Sequence, residues 1–401
     1  MQPVAESLLR PPPLSLYLHW PWCERKCPYC DFNSHSLPEA VPERAYLQAL
    51  IADLEQTLPA VWRRPLRSLF IGGGTPSLIS AEGIDWLLTQ IRARLPLLPD
   101  AEITLEANPG SADQQRFADY RQAGVNRLSI GVQSFDDQQL QRLGRIHNGA
   151  TAREAIEAAR LAGFNHINLD LMFALPGQQP ADLLADLDQA LAYAPEHLSW
   201  YQLTLEPNTP FAQQPPAELP DDDRIWALQQ LGSERLAAAG FRPYEVSAWA
   251  RATDLQCRHN LNYWQFGDYL GIGAGAHAKL TDAATGRIWR EQRARHPRRY
   301  LDAFATEPAQ LDTVISRSEV SAVDARFEFM LNAMRLSDGV AATLLSERIG
   351  QPLTALQPAL DAVIAAGLLQ PLDGLAAAAG RLQPTPLGQR HLNQLLLAFL
   401  P

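Results

Sequence analysis

Six short β-rich runs recur along the first half of the chain, LSLYLHW (14–20), RSLFIGG (67–73), EITLEA (102–107), RLSIGVQ (127–133), HINLDLM (166–172) and LSWYQLTL (198–205), with helical patterns between them. This alternation argues for a parallel sheet whose strands are joined by helical crossovers. In the first interval Tyr46, Leu47, Leu50, Ile51 and Leu54 keep the three-and-four spacing of one helix face, and Pro42 suits a first turn. Ser111 with Gln114, and Thr151 with Glu154, have capping-box spacing, while Gly124 and Gly163 sit where helices should end. About six such units predict an α/β fold with a partial (β/α)6 barrel rather than the full eight.

The unusual residues follow the strands. WCERKCPYC comes after the first, GGGTP after the second, EANPG after the third, VQSFDD after the fourth and FALPGQ after the fifth. Loops at the C-terminal ends of barrel strands converge on one mouth, so one site built from many loops is the economical reading. Past residue 215 the rhythm changes at QQPPAELPDDD, a proline-rich, acidic break. The expected division is residues 10–215 as the barrel, 216–300 as its extension, and 301–401 as a smaller, mainly helical domain with a β-hairpin near Leu369–Leu382.

A formal net charge of −10 disfavours nonspecific binding to nucleic acid or anionic membrane over most of the surface, and no nucleic acid is expected as a partner. One segment runs against it: Arg287, Arg290, Arg293, Arg295, Arg298 and Arg299 fall within RIWREQRARHPRRY, either a solvated basic loop or a contact for carboxylates of a ligand or partner. The first residues lack the charged-then-apolar order of a signal peptide, and no stretch is apolar enough to span a bilayer, so a cytoplasmic protein is expected. Three of the four cysteines crowd into Cys23-x-x-x-Cys27-x-x-Cys30, which in a reducing compartment points to metal or catalysis rather than disulfides. Three thiolates on one short loop can hold an iron–sulfur cube and leave one iron open. A structural zinc site would need His19 or His35 as a fourth ligand, and would leave the rest of the mouth unexplained. Gly72, Gly73 and Gly74 let the backbone pass close to a ligand, and Thr75 and Pro76 stiffen the exit; the ending of a phosphate-binding P-loop is absent.

The cysteine spacing after a first strand, followed by a glycine-rich turn after the second, resembles the radical-SAM superfamily. YLHWPWCERKCPYCDF resembles the branch that contains oxygen-independent coproporphyrinogen III dehydrogenase and the HemW-type haem chaperones, and the likeness runs from about Leu14 to the C-terminal end. It implies a 4Fe–4S cluster on Cys23, Cys27 and Cys30, whose open iron chelates S-adenosylmethionine (SAM). In the superfamily an electron donor then drives cleavage of SAM to a 5′-deoxyadenosyl radical. The resemblance also sets the turn of Gly73, Gly74 and Thr75 against the methionine part of SAM. Glu106, Gln133, Arg145 and Asp170 match the family pattern around EANP, GVQS, LGRIHN and DLMFALPG as SAM contacts. Arg145 could pair with a carboxylate and Asp170 accept from ribose hydroxyls. Each acidic residue has the alternative of capping the next turn, and Tyr17, a further SAM candidate, the alternative of core packing.

Two features separate the branches. The dehydrogenases carry a fourth Cys two positions after the third, where this chain has Phe32. His259-Asn260-Leu261-Asn262-Tyr263-Trp264 matches the H-N-x-x-Y-W string of the chaperones, and offers haem an imidazole ligand and flat aromatic surfaces. A His beside aromatics is also a common packed residue. Cys257 reads as a buried inert thiol, GIGAGAH (271–277) as close backbone packing, and His277 as a second candidate haem ligand. The resemblance thus implies a haem chaperone with haem-requiring acceptor proteins, membrane-associated respiratory enzymes among them; a peripheral place at the membrane and a homodimer are further expectations beside the cytoplasmic one. The alternatives are coproporphyrinogen III oxidation and a zinc-stabilised binding protein.

Overall fold

The computed structural model describes residues 11–111, 113–305, 311–372 and 380–401. Six parallel strands follow one another in chain order across the sheet: β1 (Leu14–Trp20), β2 (Leu66–Gly73), β3 (Leu97–Ala107), β4 (Arg127–Gln133), β5 (Ile167–Phe173) and β6 (His197–Gln202). Helices α1 (Glu43–Thr57), α2 (Ala81–Arg92), α3 (Gln114–Ala123), α4 (Gly149–Leu161) and α5 (Pro180–Ala192) make the crossovers. The chain then forms α6 (Asp222–Ala238) and extends the sheet at both edges. Strands β7 (Arg242–Pro243) and β8 (Ala248–Ala250) add beside β6. On the other side β9 (Asp268–Ile272) lies parallel to β1, followed by antiparallel β10 (His277–Thr281), β11 (Ile288–Arg293) and β12 (Ile315–Glu319). The order among the described residues is β12-β11-β10-β9-β1-β2-β3-β4-β5-β6-β8-β7, an open sheet rather than a closed barrel.

Because side chains alternate across a strand, each strand has two fates. Leu14, Leu16, Leu18 and Trp20 join Leu69, Ile71, Ile103, Leu105, Leu128 and Leu169 in the core under the helices, where they meet the predicted α1 face of Tyr46, Leu47, Leu50, Ile51 and Leu54. The intervening residues line the concave face. Register aligns Ser15 with Ser68, Tyr17 with Phe70 and His19 with Gly72, then Ser68 with Glu102, Thr104 with Arg127, Glu106 with Ser129 and Asp170 with Ser199. Parallel strands buried on both faces read as continuous apolar runs. Here the inner face is polar, carrying Ser15, Ser68, Thr104 and Glu106.

Several local expectations change. The N-cap of α3 is Asp113, which accepts from Arg116 N at 2.8 Å, and that of α4 is Asn148, which accepts from Thr151 N at 2.9 Å. Ser111 instead lies in a 3-10 turn with its hydroxyl 2.6 Å from that of Ser77. Gly124 does end α3, with φ +111°. The stretch after residue 301 contains strand β12 as well as helices; its polar sequence ISRSE carries no core-facing stripe because it forms the sheet's edge. From Ala322 onward helices predominate around a separate core of Phe329, Met330, Leu345, Leu360 and Leu395. Of the expected hairpin, the described residues keep an antiparallel bridge between Leu369 and Pro384, with Gln370 N donating to Gln383 O (2.9 Å), while Arg381–Leu382 pairs with Val340–Ala341; residues 373–379 of that expectation lie outside the described residues. No described helix is long and apolar enough to cross a membrane.

Candidate functional site

At the end of β1 the chain enters a two-residue parallel pairing, Trp22–Cys23 with His35–Ser36, and the loop between carries Cys27 and Cys30. That loop is tied from several sides. Lys26 Nζ donates to the carbonyls of Phe32 (3.1 Å) and Ser34 (3.2 Å), and Asn33 Nδ2 donates to those of Ala274 (2.9 Å) and Arg295 (2.8 Å). All three thiols are free. Burial pushes the Cys23 and Cys30 thiols up, against hydrogen bonds from Thr75 at Cys23 and from the Phe32 backbone at Cys30. Arg145 Nη1 donates to Cys27 Sγ at 3.5 Å.

Among the described residues no three His, Cys, Asp or Glu side chains are grouped to hold one metal ion. Cys23, Cys27 and Cys30 nevertheless lie close enough to feel one another's charge, and an iron–sulfur cube, which takes thiolates on separate irons, does not need them to converge on one point. His19 is also committed elsewhere. Its Nε2 is 2.9 Å from the Asn33 carbonyl and its Nδ1 2.8 Å from Tyr17 Oη, and burial lowers its pKa to about 4, so it is a neutral strut between β1 and the cysteine loop.

The glycine turn locks onto the stem of the same loop. Gly73 N donates to Glu106 Oε2 (3.1 Å), Gly74 N to Trp20 O (2.6 Å) and Thr75 N to Trp22 O (2.8 Å). A Cβ at Gly73, whose φ is +116°, would fall 2.6 Å from the His19 ring, and one at Gly74 would fall 2.4 Å from the Trp22 carbonyl oxygen. The first reason for these glycines is therefore close approach to the chain's own backbone. The later GIGAG turn behaves alike: Cβ atoms at Gly273 and Gly275 would meet the His19 carbonyl and the Asn33 side chain.

Deeper in the lumen stand two carboxylates. Burial lifts the Glu106 pKa to about 8, with the charge of Asp170 adding to it and the Gly73 N–H opposing. Asp170 is also raised by burial, against hydrogen bonds from Asn168 Nδ2 (2.8 Å) and Ser129 Oγ (3.1 Å). Glu106 accepts from one backbone N–H, so most of its acceptor capacity is free for ammonium or hydroxyl donors of a ligand. The wall beside them is bulged: pairing of β4 with β5 shifts between Ile130 and Gln133, and Gln133 has φ +69°. The Gly131 carbonyl is taken by Arg145 Nη2 (2.9 Å) and that of Val132 by His147 Nε2 (3.0 Å). Arg145 also reaches Asn108 Oδ1 (3.2 Å), finds no carboxylate, and leaves Nε buried without a partner. Asn108, His147 and Tyr29, whose phenol feels the Arg145 charge and bonds Cys27, were not singled out in the sequence. Their signal was adjacency, since EANP, LGRIHN and CPYC contain them.

The HNLNYW segment lies at the opposite end of the strands, on helix α7 (Arg258–Trp264). Glu102 accepts from the first two helical N–H groups, Arg258 and His259, both at 3.1 Å, and from Cys257 Sγ at 3.4 Å. His259 is 3% exposed: Nδ1 is 3.0 Å from Ser68 Oγ, and its ring stacks on Phe70 at 5.0 Å and meets Tyr263 edge-on at 4.9 Å. Burial lowers its pKa to about 3. Its Nε2 has no partner. Asn262 Nδ2 bonds the Asp268 carbonyl (2.8 Å), and Arg335 covers Trp264 at 4.3 Å. Thus Tyr17, Gly73, Gly74, Thr75, Glu106, Gln133, Arg145 and Asp170 share the mouth and upper lumen with the cysteines. His259 does not, although Tyr17 spans the gap at 6.4 Å from its ring. His277 is exposed, at the start of β10.

Residues 17–190 match the radical SAM superfamily and residues 320–391 the HemN C-terminal domain. The chain is 47% identical over 393 residues to a protein of Escherichia coli (strain K12) named heme chaperone HemW, covering 98% of this chain and all of that one. It is 42% identical over 302 residues to the mouse radical S-adenosyl methionine domain-containing protein 1, mitochondrial, covering 73% of this chain and 68% of that one. Among solved structures, coproporphyrinogen III oxidase (HemN) from Escherichia coli superposes with a TM-score of 0.79 over all of this chain and 93% of that one, at 21% identity, a likeness of fold.

Proposed function

The chain belongs to the HemW family of the radical-SAM superfamily, and on that premise we propose that it is a haem chaperone which binds a 4Fe–4S cluster and SAM at the mouth of its barrel and passes haem to haem-requiring acceptor proteins. The observation that carries this reading is the gathering at one mouth of three free thiols, Arg145 on Cys27, and two enclosed carboxylates with acceptor capacity to spare. Cys23, Cys27 and Cys30 would supply the thiolates. A cluster so held presents one iron with an open position for the amino and carboxylate groups of SAM. Glu106 and Asp170 accept hydrogen bonds from the ligand's donors, and Arg145 keeps positive charge beside Cys27 while bracing the β4 bulge. Tyr17 and His19 hold β1 against the loop, so that strand and cysteines keep one geometry.

In this reading residues 10–215 carry the cluster and SAM, residues 216–300 extend the sheet and set α7 under the barrel, and residues 301–401 add the mainly helical unit. His259 has an unpartnered Nε2, but its ring is enclosed by Phe70 and Tyr17, so it would meet haem only if haem entered the lumen. Phe32, 60% exposed on the cysteine loop, stands where the dehydrogenases carry a further Cys and favours the chaperone over coproporphyrinogen oxidation. The deciding experiment assays anaerobically reconstituted protein side by side for iron and sulfide, SAM binding, haem titration by absorbance, and products from coproporphyrinogen. Stoichiometric haem binding without turnover is expected. Decarboxylation without stable haem binding, or one zinc and no cluster, would overturn the proposal.

A further inference from the structure

We propose that haem docks on the outer flank of the cysteine loop, where His35 and His296 face each other beside Arg295 and Arg298, the imidazoles offered to the iron and the guanidiniums to the propionates. The inference rests on the haem-chaperone reading and names the surface that serves it.

The basic run divides sharply once its partners are identified. Arg287 pairs with Glu319, Arg290 with Glu328 (2.5 Å) and Tyr269 (2.6 Å), and Arg293, wholly buried, with Asp53 (3.0 Å) and Glu291 (2.9 Å). Arg299 donates to the Thr313 carbonyl at 2.5 Å. These four hold the outer strands and the adjoining helix together. Arg295 and Arg298 are exposed and have no side-chain hydrogen bond or ion pair among the described residues. Two guanidiniums left free within four residues make a receptor for two carboxylates, the number a haem carries.

Between them lies His296, its ring 5.8 Å from that of His35 at 64°. Among the described residues His35 Nε2 is buried without a hydrogen bond of good geometry, the Arg295 backbone being the one group that bonds the ring and opposes the lowering of its pKa by burial. A cavity of about 400 Å³ opens here, lined by His296, Arg298, Arg299 and one carboxylate, Asp302, among others. Three residues before His35, the exposed Phe32 adds an apolar face. The surface is built onto the cysteine loop: His35 pairs with Trp22 beside Cys23, and Asn33 bonds the Arg295 carbonyl at 2.8 Å. Ordering of that loop by a cluster would therefore set the spacing of the haem contacts, which joins cluster loading to haem affinity without any group passing between the two.

The test titrates ferric haem, its propionate dimethyl ester and iron-free protoporphyrin into the reconstituted full chain, with cluster content and SAM affinity measured on each variant. Arg295→Gln with Arg298→Gln should weaken haem roughly ten- to a hundredfold, the worth of charge-assisted hydrogen bonds, and leave the ester unchanged. His35→Ala with His296→Ala should abolish the ligation-dependent shift of the haem absorbance band and leave protoporphyrin binding nearly intact. If the His pair also costs the cluster, the exposed Arg pair decides alone. Full haem affinity in the Arg variant, or equal losses for haem and ester, would overturn the inference while sparing the chaperone reading. His259→Ala is run beside them; loss of ligation there with retention in the His35/His296 variant would move the ligand into the lumen. Absence of haem binding in the wild type would remove the reading and this surface together.

Discussion

The two ends of the barrel are built from the same materials to opposite effect. At the floor, Glu102 accepts from three donors, Arg127 lies beside it at 4.0 Å, and His197 is held between Asn168 (2.6 Å) and Tyr244 (2.8 Å). At the mouth, Glu106 has one backbone donor, Arg145 Nε has no partner and Phe32 faces solvent. Titration is displaced at both ends: burial lowers His259 to about 3 and raises Glu106 to about 8. Perturbed titration by itself thus fails to tell a structural network from a functional site. Unsatisfied valence does, because a buried polar group without a partner is tolerated where a ligand completes it. Among the described residues His259 Nε2, Thr104 Oγ1 and Trp264 Nε1 on α7 are the floor's unpartnered atoms, and the first two belong to the polar lining of the lumen.

The hardest test of this contrast compares cysteines. Cys23→Ala, Cys27→Ala or Cys30→Ala should each abolish the cluster, read as iron, sulfide and visible absorbance after anaerobic reconstitution. Cys257→Ala should keep it, since this thiol is buried at the floor with its pKa pushed up to about 12 by burial and then by the Glu102 charge. Equal loss from Cys257→Ala would break the comparison outright.

A change at the floor should register in stability. Glu102→Ala takes from buried Arg127 its ion-pair partner, leaving it only the charge of Asp170, and strips the acceptor from the first turn of α7, so a loss of about 3–5 kcal/mol is expected in denaturant unfolding. An unfolding curve within error of wild type would mean the floor is looser than its hydrogen bonds imply. At the mouth the readout moves from stability to ligand. Arg145→Ala should cost roughly 1.5–3 kcal/mol in SAM binding with cluster content preserved. Intact SAM affinity with a depleted cluster would instead make the Cys27 contact its whole purpose.

Much of this division was legible in the sequence, for physical reasons. The strands, the α1 face and the gathering of special residues after strand ends depend on local periodicity, which a sequence displays directly. The polar inner face stood in alternations such as Ser15-Tyr17-His19 and Glu102-Thr104-Glu106, which were not singled out. Partnership at long range was not. Arg145 meets Cys27 across 118 positions and Arg293 meets Asp53 across 240, so neither the bridging role of the first nor the split of the arginine run could be read from neighbours. The caps at Asp113 and Asn148 were missed because Ser111, two residues early, and Thr151, three residues late, offered the same spacing.

The smallest expected effect is also the most discriminating, because it asks whether Glu106 lacks partners when SAM is absent. Its pKa is 4.5 in an unstructured chain and about 8 in the fold, so the folded state holds the proton more tightly. A raised folded pKa places this group's favourable contribution below 4.5; it declines as pH rises, and above about 8 a charged carboxylate remains at full cost. Glu106→Gln keeps an acceptor for the Gly73 N–H and carries no charge at any pH. Without SAM, the variant's melting temperature should therefore exceed that of wild type by a margin that is small near 4.5, widens toward about 8 and then levels. Each unit of raised pKa is worth about 1.4 kcal/mol before screening by lumen water, so a shift of a few degrees is the expected scale. Saturating SAM should reverse the order, since its donors stabilise the wild-type carboxylate and gain less from the amide. A margin that stays flat with pH would mean Glu106 is as well satisfied as Glu102, and the distinction between mouth and floor would lose its electrostatic basis.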